Sequence, residues 1–148
     1  MAHNTPRIRI KRVDTSLPLP RHETSGSVGF DLLCREAVTV PPGEIRLVAA
    51  NVIVAVPPGY MLMLAARSSL PVRKGLMMPN GVGIIDQDYQ GPDDEICVQV
   101  YNFTQQPVEV ARGERLAQGI FVSVAQADWV EVDDIDAESR GGFGSTGQ

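Results

Sequence analysis

Apolar and polar residues alternate in short bursts along this chain instead of recurring every three or four positions. Arg7-Ile8-Arg9-Ile10-Lys11 alternates strictly, and Thr39-Val40, Glu109-Val110 and Val130-Glu131-Val132 do so with their neighbours. That two-residue period belongs to half-buried strands. Runs rich in Val, Ile and Tyr recur at 51–56, 60–65, 96–101 and 120–124, bounded by Pro-Pro-Gly at 41–43 and 57–59, Asn80-Gly81 and Arg112-Gly113. The punctuation predicts an all-β sandwich or jelly roll. One helix of about two turns is predicted after Arg67, where Ser68 or Ser69 can cap it, Pro71 fits its first turn and Lys74-Gly75 suits its end. Val13, Val40, Val54, Ile96, Val98, Val100 and Phe121 read as core or subunit contact, and Trp129 as packing a late strand.

With 148 residues, 43% of them hydrophobic, the chain has the makings of one core. Its net charge of −5 argues against a broad basic surface for duplex nucleic acid, so any phosphate chemistry rests on a few placed cations. Cys34 and Cys97 lie far apart in apolar runs and read as buried thiols, and His3 and His22 complete no zinc ligand set. A hard cation held by carboxylates and ligand oxygens stays open. No apolar run approaches the ~20 residues of a membrane span, and the N-terminus lacks the order of a signal peptide, so cytoplasm or nucleus is the expected compartment. Residues 128–138 carry six acids and no base, and lead into a last stretch dominated by Gly, Ser and Thr.

Three segments carry candidate chemistry. Ala66-Arg67-Ser68-Ser69-Leu70 sets a guanidinium and two hydroxyls between a predicted strand end and a helix start, where unpaired N–H groups favour an anion. Asn80-Gly81-Val82-Gly83-Ile84-Ile85-Asp86-Gln87-Asp88-Tyr89-Gln90-Gly91 reads as a hairpin in which Ile84, Asp86 and Asp88 share a face. A carboxylate beside an apolar wall can act as general base on water, and exposed backbone can read a base edge. Alternation does not choose between the two aspartates. The tail from Arg140 to Gly147 has the spaced glycines and hydroxyls of an anion-binding arm, with Phe143 set to stack on a flat ligand. It lacks the Lys and the following helix of a P-loop. Taken singly, each segment has a plain counterpart: a helix cap with a surface arginine, a turn with solvated acids, a Gly-rich tail.

In their order, these segments resemble the trimeric dUTP pyrophosphatase (dUTPase) family, whose five short motifs they match across residues ~7–147. Val28-Gly29-Phe30-Asp31-Leu32 resembles the first and Ala66 to Leu70 the second. Asn80 to Gly91 matches the third, Arg112-Gly113-Glu114-Arg115-Leu116-Ala117-Gln118 the fourth, and Gly142 to Gly147 the fifth. The resemblance implies an all-β jelly-roll or β-clip subunit with one short helix, in a homotrimer whose active sites are shared between chains. Residues 1–138 would form the β domain and 139–148 an arm closing over the site. The implied reaction is dUTP plus water to dUMP and pyrophosphate, with Mg²⁺ on the triphosphate, lowering dUTP and supplying dUMP for thymidylate synthesis.

By motif position, Asp86 would activate the water that attacks the α-phosphorus, and Tyr89 would pack under the deoxyribose and exclude a 2′-hydroxyl. Asn80 and the backbone of Gly83, Ile84 and Ile85 would read the uracil edge. Arg67, Ser68, Ser69 and Gln118 would hold the phosphates, with Asp31 acting through the metal's water shell. Phe143 would close over the uracil, with Arg140, Gly144, Ser145 and Thr146 on the phosphates. The implied partners are dUTP and further copies of the chain, with no nucleic acid and no membrane.

Three departures stand out. Pro92-Asp93-Asp94 separates Gly91 from Glu95-Ile96 where the family runs on directly, which implies a longer loop that points away from a polyanion or grips something else. Only two glycines separate Arg140 from Phe143, fewer than in the family, and Val28 replaces the usual Ala. Two rivals are weaker. The dCTP deaminases are similar in fold and in Arg-Ser-Ser-Leu, but need a Glu where this chain has Gln99, which cannot shuttle a proton. A nucleotide-gated regulatory trimer, with Asp93-Asp94 and the acidic stretch as its surface, would need neither Asp86 nor an aromatic arm.

Overall fold

A computed structural model describes residues 5–142, among which eleven strands and one helix form. A four-stranded antiparallel sheet runs in the order β2 (Phe30–Leu33), β11 (Arg115–Ser123), β6 (Tyr60–Ala66) and β8 (Val82–Ile85). A three-stranded sheet runs β4 (Ile45–Ala49), β9 (Cys97–Asn102), β7 (Leu76–Met77). Two ribbons complete the fold: β1 (Ile10–Arg12) with β5 (Val52–Val54), and β3 (Val38–Val40) with β10 (Val108–Val110). Alternation explains the burial. Leu62 and Leu64 of β6, Leu32 of β2, and Val98 and Val100 of β9 all turn into one apolar cluster, which is the jelly-roll core.

Helix α1 (Leu70–Lys74) forms where predicted, with Ser69 at its N-cap, Pro71 in its first turn and Gly75 closing it at φ +67°. It is shorter than the sequence suggests because only Leu70 is buried and Gly75 turns the chain directly into β7. Val40, Val54, Ile96, Val98 and Val100 are core, as expected.

Val13, read as core or subunit contact, is not core: it is 43% exposed within one copy. Three expectations need correction. Cys97 is exposed, because Ile96 and Val98 take the inward positions of a two-residue period. No strand follows Ser123 among the described residues, and Trp129 and Val130 are 92% and 84% exposed. Alternation makes a strand only where a partner edge is at hand, and residues 125–142 are exposed throughout. The Asn80-Gly81 turn closes no hairpin: β7 before it and β8 after it belong to different sheets, so the turn crosses the sandwich.

Two polar groups pin the loops. Asn102 is fully buried; its amide donates to Val40 O (2.9 Å) and Gln106 O (2.7 Å), and its Oδ1 accepts from Thr104 N and Oγ1. Asp14 accepts from Ser16 N, Ser16 Oγ and Arg112 Nη2, and these hydrogen bonds hold its carboxyl far below the usual carboxylate range. Asn102→Ala should cost about 3 kcal/mol, read as a lower denaturant midpoint, because it orphans buried carbonyls. The stability that Asp14 contributes is complete above its unfolded value and is lost as pH falls toward its depressed folded value. Asp14→Asn should therefore lose stability less steeply than the parent below about pH 4 in acid titrations.

Candidate active site

The β2–β11 register sets Asp31 opposite Gln118. A bulge follows Arg115, so Leu116 and Ala117 both turn into the core. In a regular strand Arg115 and Gln118, three residues apart, would face opposite ways; the bulge brings both to Asp31's side. The Asp31 side chain is 14% exposed and lies between two guanidiniums, 3.1 Å from Arg67 Nε and 3.2 Å from Arg115 Nη1. Arg115 also pairs with Glu23 at 3.1 Å.

Arg67 leaves the end of β6 with its N–H donated to Leu116 O, and Ser68 and Ser69 follow in the turn into α1. Ser69 makes no side-chain cap bond, so its hydroxyl is not used by the helix. Gly29, Asp31, Arg67, Ser68, Ser69 and Gln118 line one cleft, and Arg73, Lys74 and Arg115 line its continuation. Arginines and hydroxyls in this arrangement suit phosphate oxygens.

The other candidate residues collect elsewhere. β8 is an edge strand, so its outer backbone groups are unpaired by the sheet. Gly83 sits tightly on β6, since a Cβ there would meet Leu64 side-chain atoms at 3.1 Å. Beyond the strand, Ile84, Asp86 and Asp88 line a second cleft with Tyr60, Met61 and Gln87, so the shared face read from the sequence is present without a hairpin. Gln87 Nε2 fixes the segment by donating to Tyr60 O at 3.1 Å. Asn80 is exposed at the far end of β8.

One chain keeps the two groups apart. β6 and β8 are antiparallel with Leu62 opposite Ile85, so Asp86 lies near Met61 while Arg67 lies six residues further along β6, about 20 Å away for extended chain. Asp31 is on the opposite edge strand, three strand spacings or about 14 Å across. Among the described residues none lines both clefts.

Pro92-Asp93-Asp94 grips itself: Gly91 N–H donates to Asp94 Oδ2 at 2.6 Å and Asp94 N–H to Gly91 O at 3.2 Å. Gln99 faces outward on β9 opposite Leu47 and lines neither cleft. Arg140 is exposed, and Phe143, Gly144, Ser145 and Thr146 lie outside the described residues. Arg115, Glu23 and Gln87 were not singled out from sequence. The bulge that recruits Arg115 leaves no mark in the composition around it.

The donor set bears on a metal. Among the described residues no three His, Cys, Asp or Glu side chains converge, and both Asp31 oxygens face guanidiniums. Asp31 is thus engaged by arginines at both oxygens and is not part of a three-carboxylate ligand set among the described residues.

Fold and clefts together define an antiparallel β protein built to hold a phosphorylated ligand. The family model described as dUTPase matches residues 15–147. A deoxyuridine 5'-triphosphate nucleotidohydrolase of Anaeromyxobacter sp. (strain Fw109-5) is 42% identical over 146 residues, covering 95% of this chain and 97% of that protein. The crystal structure of the dUTPase from Streptococcus mutans superposes with a TM-score of 0.75 at 35% identity, over 81% of this chain and 98% of that one. A Staphylococcus bacteriophage 80alpha dUTPase with dUPNHPP shares the fold, at a TM-score of 0.86 and 21% identity over 97% of this chain and all of that one (100%). The chain belongs to the dUTPase family.

A Cβ on Gly29 would come within 2.6 Å of Gln118 Oε1, the far end of a flexible side chain. Gly29→Ala should therefore fold normally yet bind inorganic tripolyphosphate about tenfold more weakly in calorimetry, because the displaced amide loses its place in the cleft.

Proposed function

We propose that the protein hydrolyses dUTP to dUMP and pyrophosphate in sites that each draw on more than one copy of the chain, in a homotrimer. The observation that carries this reading is the division of one chemistry between two clefts about 20 Å apart, a carboxylate beside an edge strand and a cationic shelf. A water activated at Asp86 must attack a phosphorus whose oxygens are held by Arg67, and no single copy brings those groups to one phosphate. The exposed apolar residues Trp129, Val130 and Ile135 support assembly, since they are uncovered within the chain.

In this reading Asp86 accepts the proton of the attacking water as the new O–Pα bond forms. The bond from Pα to the bridging oxygen breaks, and pyrophosphate leaves with its electron pair. Arg67, Ser68, Ser69 and Gln118 of a second copy hold the phosphates and neutralise the charge that grows on them. Mg²⁺ bound on the triphosphate would supply further neutralisation, and Asp31 would be the residue to reach it through water. The unpaired outer edge of β8, at Gly83, Ile84 and Ile85, reads the uracil through backbone groups, with Asn80 assisting, and Tyr89 packs under the deoxyribose. The arm from residue 139 closes over the ligand, Phe143 on the base and Arg140, Gly144, Ser145 and Thr146 on the phosphates, excluding water. The product dUMP serves thymidylate synthesis. Deamination of dCTP has no support here, since Gln99 stands where that reaction would need a proton-shuttling Glu.

Asp86→Asn should bind dUTP and lose turnover by a factor of at least ~10³. Arg67→Ala should be similarly inactive through lost phosphate binding. When the two inactive variants are unfolded together and refolded as a mixture, roughly a quarter of the sites should combine both intact halves, and the mixture should recover that share of activity. No recovery from well-folded mixed oligomers would mean that each site is built within one copy.

A further inference from the structure

The inserted loop ends at a carboxylate with an unexpected set of partners. Tyr89 Oη donates to the backbone carbonyl of Glu95 at 3.2 Å, closing a compact loop around the Gly91–Asp94 turn. The Glu95–Ile96 peptide that bears this carbonyl is anchored by Ile96 N–H donating to Val52 O at 2.9 Å, and on its other side by the Glu95 side chain, which is 15% exposed. Its carboxylate accepts from Arg35 Nε at 2.7 Å and Arg35 Nη2 at 3.1 Å, a two-point pairing, and from Asn51 N–H at 2.9 Å.

Both partners are themselves fixed. Arg35 donates its N–H to Ala49 O at 2.8 Å. Asn51 is buried in the left-handed region at φ +68°, and exchanges hydrogen bonds with the Asp14 backbone, Asp14 N–H to Oδ1 at 2.7 Å and Nδ2 to Asp14 O at 3.0 Å. Neither Arg35 nor Asn51 lines the Asp86 cleft or the phosphate cleft, so this bracing has no direct use in ligand contact. It leads instead to Tyr89, whose side chain is 39% exposed and whose N–H donates to Asp86 O at 3.3 Å.

We propose that Glu95 is a positioning residue for Tyr89: anchored by Arg35 and Asn51, it holds the ring where it distinguishes deoxyribose from ribose. The proposal rests on the reading of Tyr89 as the surface beneath the sugar. A ring that rejects one hydroxyl must be held to a fraction of an ångström, and supporting contacts do that. Burial, then the charges of Asp94, Cys97 and Glu95, push the Tyr89 hydroxyl above its ordinary value.

The test compares the parent, Glu95→Gln, Tyr89→Phe and the double variant for kcat/KM with dUTP and with UTP, alongside NMR of the unliganded proteins labelled with ¹³C-tyrosine. Each single variant should lower the dUTP-to-UTP ratio by about three- to tenfold, and the double variant should be no worse than either. Of the three tyrosine signals, the one missing in Tyr89→Phe should move in Glu95→Gln, while those of Tyr60 and Tyr101 stay in place. An unchanged ratio in Tyr89→Phe, additive losses in the double variant, or a stationary Tyr89 signal would overturn the proposal. Should Glu95→Gln not fold, Tyr89→Phe, which removes one hydroxyl from a partly exposed ring, decides by its ratio alone. A parent protein that leaves dUTP intact would sink the functional reading, and the tyrosine spectra would still decide the coupling of Tyr89 to Glu95.

Discussion

Seven consecutive pairings between β6 and β11, from Ala66 opposite Ala117 to Tyr60 opposite Ser123, are the constraint on which the site depends. They bring Arg67 out beside Gln118, and leave the far edge of β6 to β8 and so to Asp86. A slip by one residue would turn Leu62 and Leu64 outward and bury Met61 and Met63 in their place. Gly119 helps to fix the register, because a Cβ there would meet the Phe30 ring at 2.6 Å and Leu62 at 3.1 Å. Only a glycine lets β11 lie this close to both neighbours.

The same sheet determines the electrostatics. Arg67 is engaged by Asp31, and Asp31 is shared with Arg115. A phosphate at Arg67, as proposed, would compete with that carboxylate. Arg115 can retain Asp31 while Arg67 turns to the newcomer, so the exchange leaves no half-buried charge unpaired, which would cost far more than the pair contributes. A divalent cation accompanying the phosphates would favour the exchange, since it brings positive charge toward Asp31.

Much of this was legible in the sequence, and the exceptions share a cause. The all-β class, the short helix and the gathering of Arg67, Ser68 and Ser69 at its start follow from local signals: alternation, a capping serine, a proline and a terminating glycine. What failed was non-local. Asn80-Gly81 carries the chemistry of a hairpin turn, yet sheet membership is decided by which strands β7 and β8 find, and they find different ones. The Val130–Val132 alternation promises a strand, but a strand needs an edge, and nothing within one copy supplies it. The bulge beside Leu116 is invisible because Arg115-Leu116-Ala117-Gln118 would suit a regular strand equally well. Glu95 was noted only as the end of an interruption, since its partners Arg35 and Asn51 are 60 and 44 residues away. The separation of Asp86 from Arg67 has no local signature either; it follows from the pairing of β6 with β8.

The sole tryptophan of the chain, Trp129, is 92% exposed and lies between the β core and the glycine-rich terminus. An indole in water emits at long wavelength, and one packed against protein emits further to the blue. The protein thus carries an intrinsic optical reporter at the junction where its tail leaves the body, and no label is needed to follow when that junction is covered. With no second indole to dilute the signal, dilution of the protein or addition of nucleotide can be read directly as a change in emission colour.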